Sequence, residues 1–210
     1  MSQVIAEISI SLDGFAAGPN QRKEHPLGEG GEDLHEWILK TESWRSQHGK
    51  EGGEKGPDDD AARWSGQGVG AYIMGRNMFG PPEGGEWDES WRGWWGENPP
   101  YHVPVFVLTH HAREPVPMEG GTTFHFVTDG IEAALEQARA AAGDQHVYVI
   151  GGANAIQQYL AAGLLDELRL HIAPIVLGGG ERLFENVGDP KLEQVEVVAG
   201  MATHVKYRVG

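Results

Sequence analysis

The stretch VYVIGGANAIQQYL, residues 147–160, constrains this chain more than any other. Four β-prone residues, Val147 to Ile150, are cut off by Gly151 and Gly152, a pattern that predicts a buried strand turning sharply at its carboxyl end. Ile156 and Leu160 then fall at helical spacing, and Gly163 is placed to cap the helix. The order strand, glycine turn, helix gathers free backbone N–H groups and the positive end of a helix dipole at one point, which is how α/β proteins hold a phosphate. A tight turn that needs positive φ accounts for the glycines as well, and this motif alone does not decide between the two.

Further apolar runs with strand character recur at residues 4–10, 71–74, 103–108, 123–127 and 168–172, with 195–198 and 204–209 near the end. Helical patterns separate several of them. In DGIEAALEQARAAAG, Asp129 is a candidate cap and Glu132, three residues later, completes a capping box; Ile131, Leu135, Ala138 and Ala142 share one face, and Gly143 ends the run. Strands alternating with helices imply a largely parallel sheet covered on both faces. The last two runs, close together with no helix between them, predict an antiparallel hairpin at one edge. Two insertions break the pattern. Residues 41–70 are polar and glycine-rich, while residues 80–102 hold Trp87, Trp91, Trp94 and Trp95 among glycines and prolines. Indoles are stabilising only when packed, so the second segment is either folded onto the core or a second subunit, or forms a wall of a cleft.

A chain of 210 residues with these insertions fits one domain spanning 1–210. The net charge of −15 excludes nucleic acid and anionic membrane as partners, since either needs a basic face. The absence of cysteine removes disulfides and thiolate metal sites. With no apolar run of membrane-spanning length and no signal-like amino terminus, the reading is cytoplasmic. The ten histidines show no H-E-x-x-H or comparable pairing, and no metal is expected.

In so acidic a chain an anion must be met locally. At AYIMGRNMFG, Gly75 follows a strand and Arg76 opens the next turn; at VFVLTHHAR, a buried run ends in Thr109, His110, His111 and Arg113. Ligands of open α/β sheets bind outside the carboxyl ends of the strands. Three strand ends offering glycine, hydroxyl or cation together favour one extended anion such as a dinucleotide phosphate. Neither G-x-G-x-x-G nor G-x-x-x-x-G-K-[ST] occurs.

The blocks ISLDGFAAG (10–18), YIMGRNMF (72–79), VYVIGGANAIQQYL (147–160) and AGLLDELRLHIAPIVLGGGERLFENV (162–187) resemble the dihydrofolate reductase superfamily. The nearest branch is the carboxyl-terminal reductase domain of the bifunctional riboflavin-biosynthesis protein. The resemblance implies a three-layer α/β/α sandwich with a mainly parallel, eight-stranded mixed sheet that binds NADPH. It implies a Gly151–Gly152 peptide that is often cis, with Ala153, Asn154, Ala155 and Ile156 facing the cofactor pyrophosphate. Gly75, Arg76, Asn77 and Met78 would supply further phosphate contacts, with Arg76 near the adenosine 2′-phosphate. Thr109, His110 and Arg113 would surround that phosphate, and Ala16 and Ala17 would hold the nicotinamide carboxamide. On the substrate side it points to Asp33 and His171 as catalytic candidates and to Asp13 and Trp37 as substrate contacts. Asp33 and Trp37, four apart, would share a helical face.

The implied activity is NADPH-dependent hydride transfer to a small heterocyclic substrate. The alternatives are reduction of 5-amino-6-(5-phosphoribosylamino)uracil in riboflavin synthesis, or a non-catalytic dinucleotide-binding module. The branch, together with four clustered tryptophans, implies a homodimer. The H-x-E and C-x-x-C elements of a zinc deaminase are absent.

Overall fold

The structure is a computed structural model that describes residues 2–81 and 84–210. In chain order the elements are β1 (Val4–Ser11), β2 (Phe15–Ala17), a 3-10 turn (Gly31–His35), α1 (Glu36–Leu39), α2 (Glu42–Gln47), α3 (Pro57–Ala62), β3 (Val69–Gly75) and α4 (Arg76–Phe79). There follow β4 (Pro104–Leu108), β5 (Val116–Pro117), β6 (Thr123–Val127), α5 (Ile131–Ala142), β7 (His146–Val149), α6 (Ala153–Ala161), β8 (Glu167–Ala173), β9 (Glu181–Arg182), β10 (Leu192–Ala199) and β11 (Thr203–Val209).

Among the described residues the main sheet has nine strands in the order β10-β11-β8-β1-β7-β3-β4-β6-β5. The six from β8 to β6 are mutually parallel, and antiparallel strands close both edges. The ninth strand is β5, two residues long and paired to β6, too short to leave a periodic trace in the sequence. The carboxyl-terminal hairpin stands at an edge, as its sequence predicts.

β1 divides the layers by its alternation. Val4, Ala6, Ile8 and Ile10 face the core shared with α5 and α6, while Glu7, Ser9 and Ser11 face the layer that carries α1 and α3. In α5, Ile131, Leu135, Ala138 and Ala142 are buried as their spacing predicts, and Gly143 (φ 59°) ends the helix. The capping box does not form. The chain enters α5 through Gly130 at φ 90°, a conformation L residues rarely adopt, and no side chain caps the first turn.

The polar segment 41–70 contains α2 and α3, and its acidic run is an anchor. Asp59, 3% exposed, accepts from the Ser43 amide (2.7 Å) and pairs with Arg63 (2.6 Å). The tryptophan-rich segment is held by its own indoles. Trp87 Nε1 donates to the His111 carbonyl and Trp91 Nε1 to that of Phe79, each at 2.8 Å, and both rings pack on the cluster around Phe79, Phe124 and Val107. Among the described residues no helix is long and apolar enough to cross a membrane.

Candidate active site

The carboxyl ends of β3, β4, β6 and β7 open into a cleft of about 860 Å³. The β3 and β7 ends are clamped together: the Gly75 amide donates to the Gly151 carbonyl (2.7 Å) and the Ile150 amide to that of Ile73 (3.0 Å). Gly151 has φ 124°, and the Gly151–Gly152 peptide is cis. A β-carbon built on Gly152 meets nothing within 4 Å, because that direction is the free space of the cleft. α6 starts here with no side-chain cap, so its amino end faces the cleft through backbone alone.

Arg76 begins α4 on the same wall. Its guanidinium lies 4.2 Å from the Trp87 ring centroid and donates to the carbonyls of Gly85 (2.7 Å) and Pro81 (3.3 Å), while Nε is buried without a partner among the described residues. The cation is thus held in place by the tryptophan-rich segment before any ligand arrives. Thr109 closes the β4 end: its amide donates to the Val127 carbonyl (3.1 Å) and its hydroxyl accepts from the His111 amide (3.1 Å), with His110 exposed beside it. Ala16 and Ala17 of β2, Trp94 and Trp95 also lie on the lining. The insertion is therefore both packed on the core and part of the cleft.

The structure brings Ala16, Ala17, Gly75, Arg76, Asn77, Met78, Thr109, His110, Gly151, Gly152, Ala153, Asn154 and Ala155 into this one lining. Ile156 is not among them: one turn into α6, it points the other way and is fully buried in the core. Arg113 is also elsewhere, its guanidinium 5.3 Å from the Phe126 centroid and donating to the carbonyls of Glu89 and Trp91.

The four substrate-side candidates all lie off the lining. Residues 31–35 form a 3-10 turn entered through Gly30 at φ 72°, so the α-helical phase that would align Asp33 with Trp37 does not exist, and Asp33 is exposed. Trp37 is buried, its Nε1 donating to Ser9 Oγ (3.1 Å). His171 is 2% exposed within the second layer. Asp13 is occupied as a latch: it accepts from Ser11 Oγ (2.6 Å), the Leu177 amide (3.1 Å) and the Gly178 amide (2.7 Å), tying the β1–β2 turn to the loop after β8. The Ser11 hydroxyl, with these amides, holds its carboxyl down at about 2.

The 3-10 phase brings His35 to the cleft instead, beside Ser9 and Leu27. Its Nδ1 is buried without a partner among the described residues. Burial, reinforced by the charge of His171, pushes its imidazole down to about 4. Sequence reasoning passed over it because a histidine between Leu34 and Trp37 carries no motif; its position between two core anchors was the available signal.

The sequence profile of the RibD C-terminal domain matches residues 2–205. The chain belongs to the RibD C-terminal domain family. Among curated proteins, an uncharacterized Bacillus subtilis (strain 168) protein, YyaP, is 37% identical over 62 residues, a match spanning 30% of this chain and 32% of that relative. Three solved structures share the fold. A putative riboflavin biosynthesis protein from Shewanella sp. PV-4 superposes at TM-score 0.60 with 23% identity, covering 99% of each chain. The riboflavin biosynthesis reductase Rib7 of Saccharomyces cerevisiae gives 0.53 and 15%, over 100% of this chain and 89% of that one. Dihydrofolate reductase from Enterococcus faecalis, solved with NADP(H), gives 0.54 and 14%, over 99% and 96%. In this RibD C-terminal fold the cleft occupies the carboxyl ends of the parallel strands, where open α/β sheets bind their ligands.

Proposed function

We propose that the protein is an NADPH-dependent reductase of a small heterocyclic substrate, a single domain acting as a homodimer. The observation that carries the reading is the convergence of the Gly75–Arg76, Thr109–His110 and Gly151–Gly152 strand ends on one cleft with open space over Gly152. An extended polyanion fits this arrangement. Its pyrophosphate would lie against Gly152 and the start of α6, and its 2′-phosphate by Arg76, whose buried Nε lacks a partner among the described residues. Membership in a family of reductases supports the same assignment.

When bound, a reduced nicotinamide supplies the hydride. The chain's own residues supply the surroundings: Ala16 and Ala17 orient the ring through backbone, and Ile8, Leu27 and Trp95 exclude water from the reacting end. His35 and Glu181 are titratable groups on the lining near that wall. A phosphoribosyl-bearing pyrimidine is the second reading, favoured by the riboflavin reductases among the relatives. Among the described residues, however, Arg76 is the one arginine on the lining and no lysine joins it, so one cation would have to serve both the cofactor phosphate and the substrate phosphate. We therefore favour an uncharged heterocycle.

Consumption of NADPH by any member of a substrate panel supports a reductase; NADPH binding without turnover of any member supports a non-catalytic module. Cofactor choice gives a sharper expectation. Arg76→Ala removes one charge-assisted contact, about 1.5–3 kcal/mol, and is expected to weaken NADPH roughly ten- to hundredfold while sparing NADH. Equal losses for both cofactors would show that Arg76 does not hold the 2′-phosphate. The dimer is supported by β10, an edge strand exposed along nearly its whole length with Val195 and Val197 on its surface, and no longer by the tryptophans, which pack within their own chain. Sedimentation at micromolar concentration is expected to show two 22.8 kDa chains together, and a monomer alone overturns it.

A further inference from the structure

Strand register puts Glu7 and Ser9 of β1, Tyr148 of β7 and Tyr72 of β3 on a single face of the sheet, because Ile5 lies opposite Tyr148 and Tyr148 opposite Tyr72. Two layers stand side by side on that face. The 3-10 turn that carries His35 packs on β1 and β8, while the tryptophan-rich segment packs over β3, β4 and β6 around Met74, Val107 and Phe124. β7 runs between the two layers, and Ile150 at its end belongs both to the tryptophan-side cluster and to the cleft lining. His35 and the pair Trp94 and Trp95 therefore line the cleft from opposite sides of Ile150.

The indoles of the segment divide by their N–H groups. Trp87 and Trp91 donate to main-chain carbonyls and so hold the segment together. Trp94 and Trp95 have no hydrogen-bond partner among the described residues, and neither indole nitrogen is a buried one. Their rings are nonetheless fixed in place. Trp94 stands edge-on to Trp91 with centroids 4.6 Å apart, and Trp95 edge-on to Tyr101 at 5.2 Å. Lys23 Nζ lies 5.3 Å from the Trp91 centroid, which brings the loop bearing Gln21, Pro26 and Leu27 of the lining against the same indoles. The charged side chains of the described lining are engaged elsewhere: Arg76 with Trp87 and the Gly85 carbonyl, and Glu181 on β9, which Gln157 Nε2 ties to α6 on the other face through the Arg182 carbonyl (2.6 Å). Burial keeps His35 uncharged at neutral pH.

We propose that Trp94 and Trp95, with His35 on the far side, form a slot for a flat, uncharged ring system that carries carbonyl oxygens on its edge. The indole faces supply stacking area on side chains already held rigid, so little rotamer entropy is lost when a ring enters. Their N–H groups only donate, and a ring carbonyl is the acceptor they match. No charged side chain of the slot compensates an ionised ligand for the water it leaves. Fused pyrimidinediones and cyclic imides have this chemistry. The tryptophan-rich insertion is then the specificity-determining part of the cleft. That such a ring is what the enzyme reduces rests on the reductase reading; the slot and its selectivity do not.

Equilibrium dialysis with lumichrome, an uncharged tricycle with ring carbonyls, tests the slot without turnover. Lumichrome is expected to bind at micromolar concentration, to bind the NADP+-saturated protein as well as the free one, and to bind about tenfold more tightly than the flat cation proflavine at physiological salt. Trp94→Ala removes a stacking face and is expected to weaken lumichrome about tenfold. Trp95→Phe keeps a ring but loses the N–H, and a loss of about fivefold is expected. Both variants are expected to hold NADP+ within about twofold of the wild type. Displacement of lumichrome by NADP+, a preference for proflavine, or unchanged lumichrome affinity in both variants overturns the proposal. Should Trp94→Ala fail to fold, Trp95→Phe and the wild-type comparisons decide it. A protein that binds lumichrome in this way but not NADP+ keeps the slot and loses the cofactor reading, and the reverse result loses the slot alone.

Discussion

Gly152→Val is expected to fold as the wild type does and to bind NADPH at least about a hundredfold more weakly, a loss of ~2.7 kcal/mol. The geometry separates the two effects. Gly152 has φ −68° and a β-carbon direction that meets nothing within 4 Å, so the isopropyl group displaces no protein atom and instead fills the space assigned to the pyrophosphate. The adjoining glycine behaves differently. Gly151 sits at φ 124°, and a β-carbon there would come within 3.3 Å of Met78 Sδ, so Gly151→Ala is expected to lower stability itself. Thermal unfolding with and without NADPH reads both. Ligand at about 100 times its Kd stabilises a one-site protein by about 2.7 kcal/mol, a gain expected in the wild type and absent in Gly152→Val. A folded Gly152→Val protein that keeps the NADPH-dependent shift would move the pyrophosphate elsewhere.

Lowering the pH from 6.5 to 4 is expected to cost the wild type on the order of 3 kcal/mol more than it costs His35→Gln. Burial, then the His171 charge, depresses the folded-state imidazole to about 4 against 6.5 when unfolded. The unfolded chain therefore binds a proton that the folded protein refuses throughout this window. Stability from the neutral ring is fully present above pH 6.5 and lost as the pH falls through 4. Carboxylates titrating in the same range are common to both proteins and cancel in the difference. Urea unfolding at several pH values measures it, and parallel curves for the two proteins would mean that His35 is as free in the fold as out of it.

The central parallel strands were legible because their burial writes continuous apolar runs such as Val147–Ile150, the exposed antiparallel β10 through its β-branched residues, and α5 because its buried face repeats at helical spacing. The convergence of the glycine-bearing strand ends on one cleft was legible for a related reason: close backbone approach demands glycine, and glycine at a strand end is visible in one dimension. The rest of the lining was not. Asp33 was placed by assuming an α-helical phase, and a 3-10 turn entered through Gly30 rotated His35 to the cleft instead. Ile156 falls off the lining because, one turn into α6, its side chain turns into the core while Asn154 is exposed. In the second layer, the buried hydrogen bond between His171 and His204 joins residues 33 apart, and Glu7 and Asp58 bond to these two rings from 164 and 146 residues away, separations that no local pattern records.

The position of β1 at the middle of the sheet has a consequence for biosynthesis. It precedes every other strand of the sheet in the chain, and both its neighbours, β7 and β8, come from residues 146–149 and 167–173. At about 5–20 residues per second, synthesis leaves it without its native neighbours for roughly ten to thirty seconds. For that interval VIAEISIS, a β-prone segment rich in apolar residues, is available to other nascent chains, and Glu7 is the one charge within it. The carboxylate that the folded protein buries against His171 is, in the unfinished chain, the gatekeeper that opposes strand-to-strand aggregation. Replacing it would act on yield from the cell before it acted on anything the finished fold does.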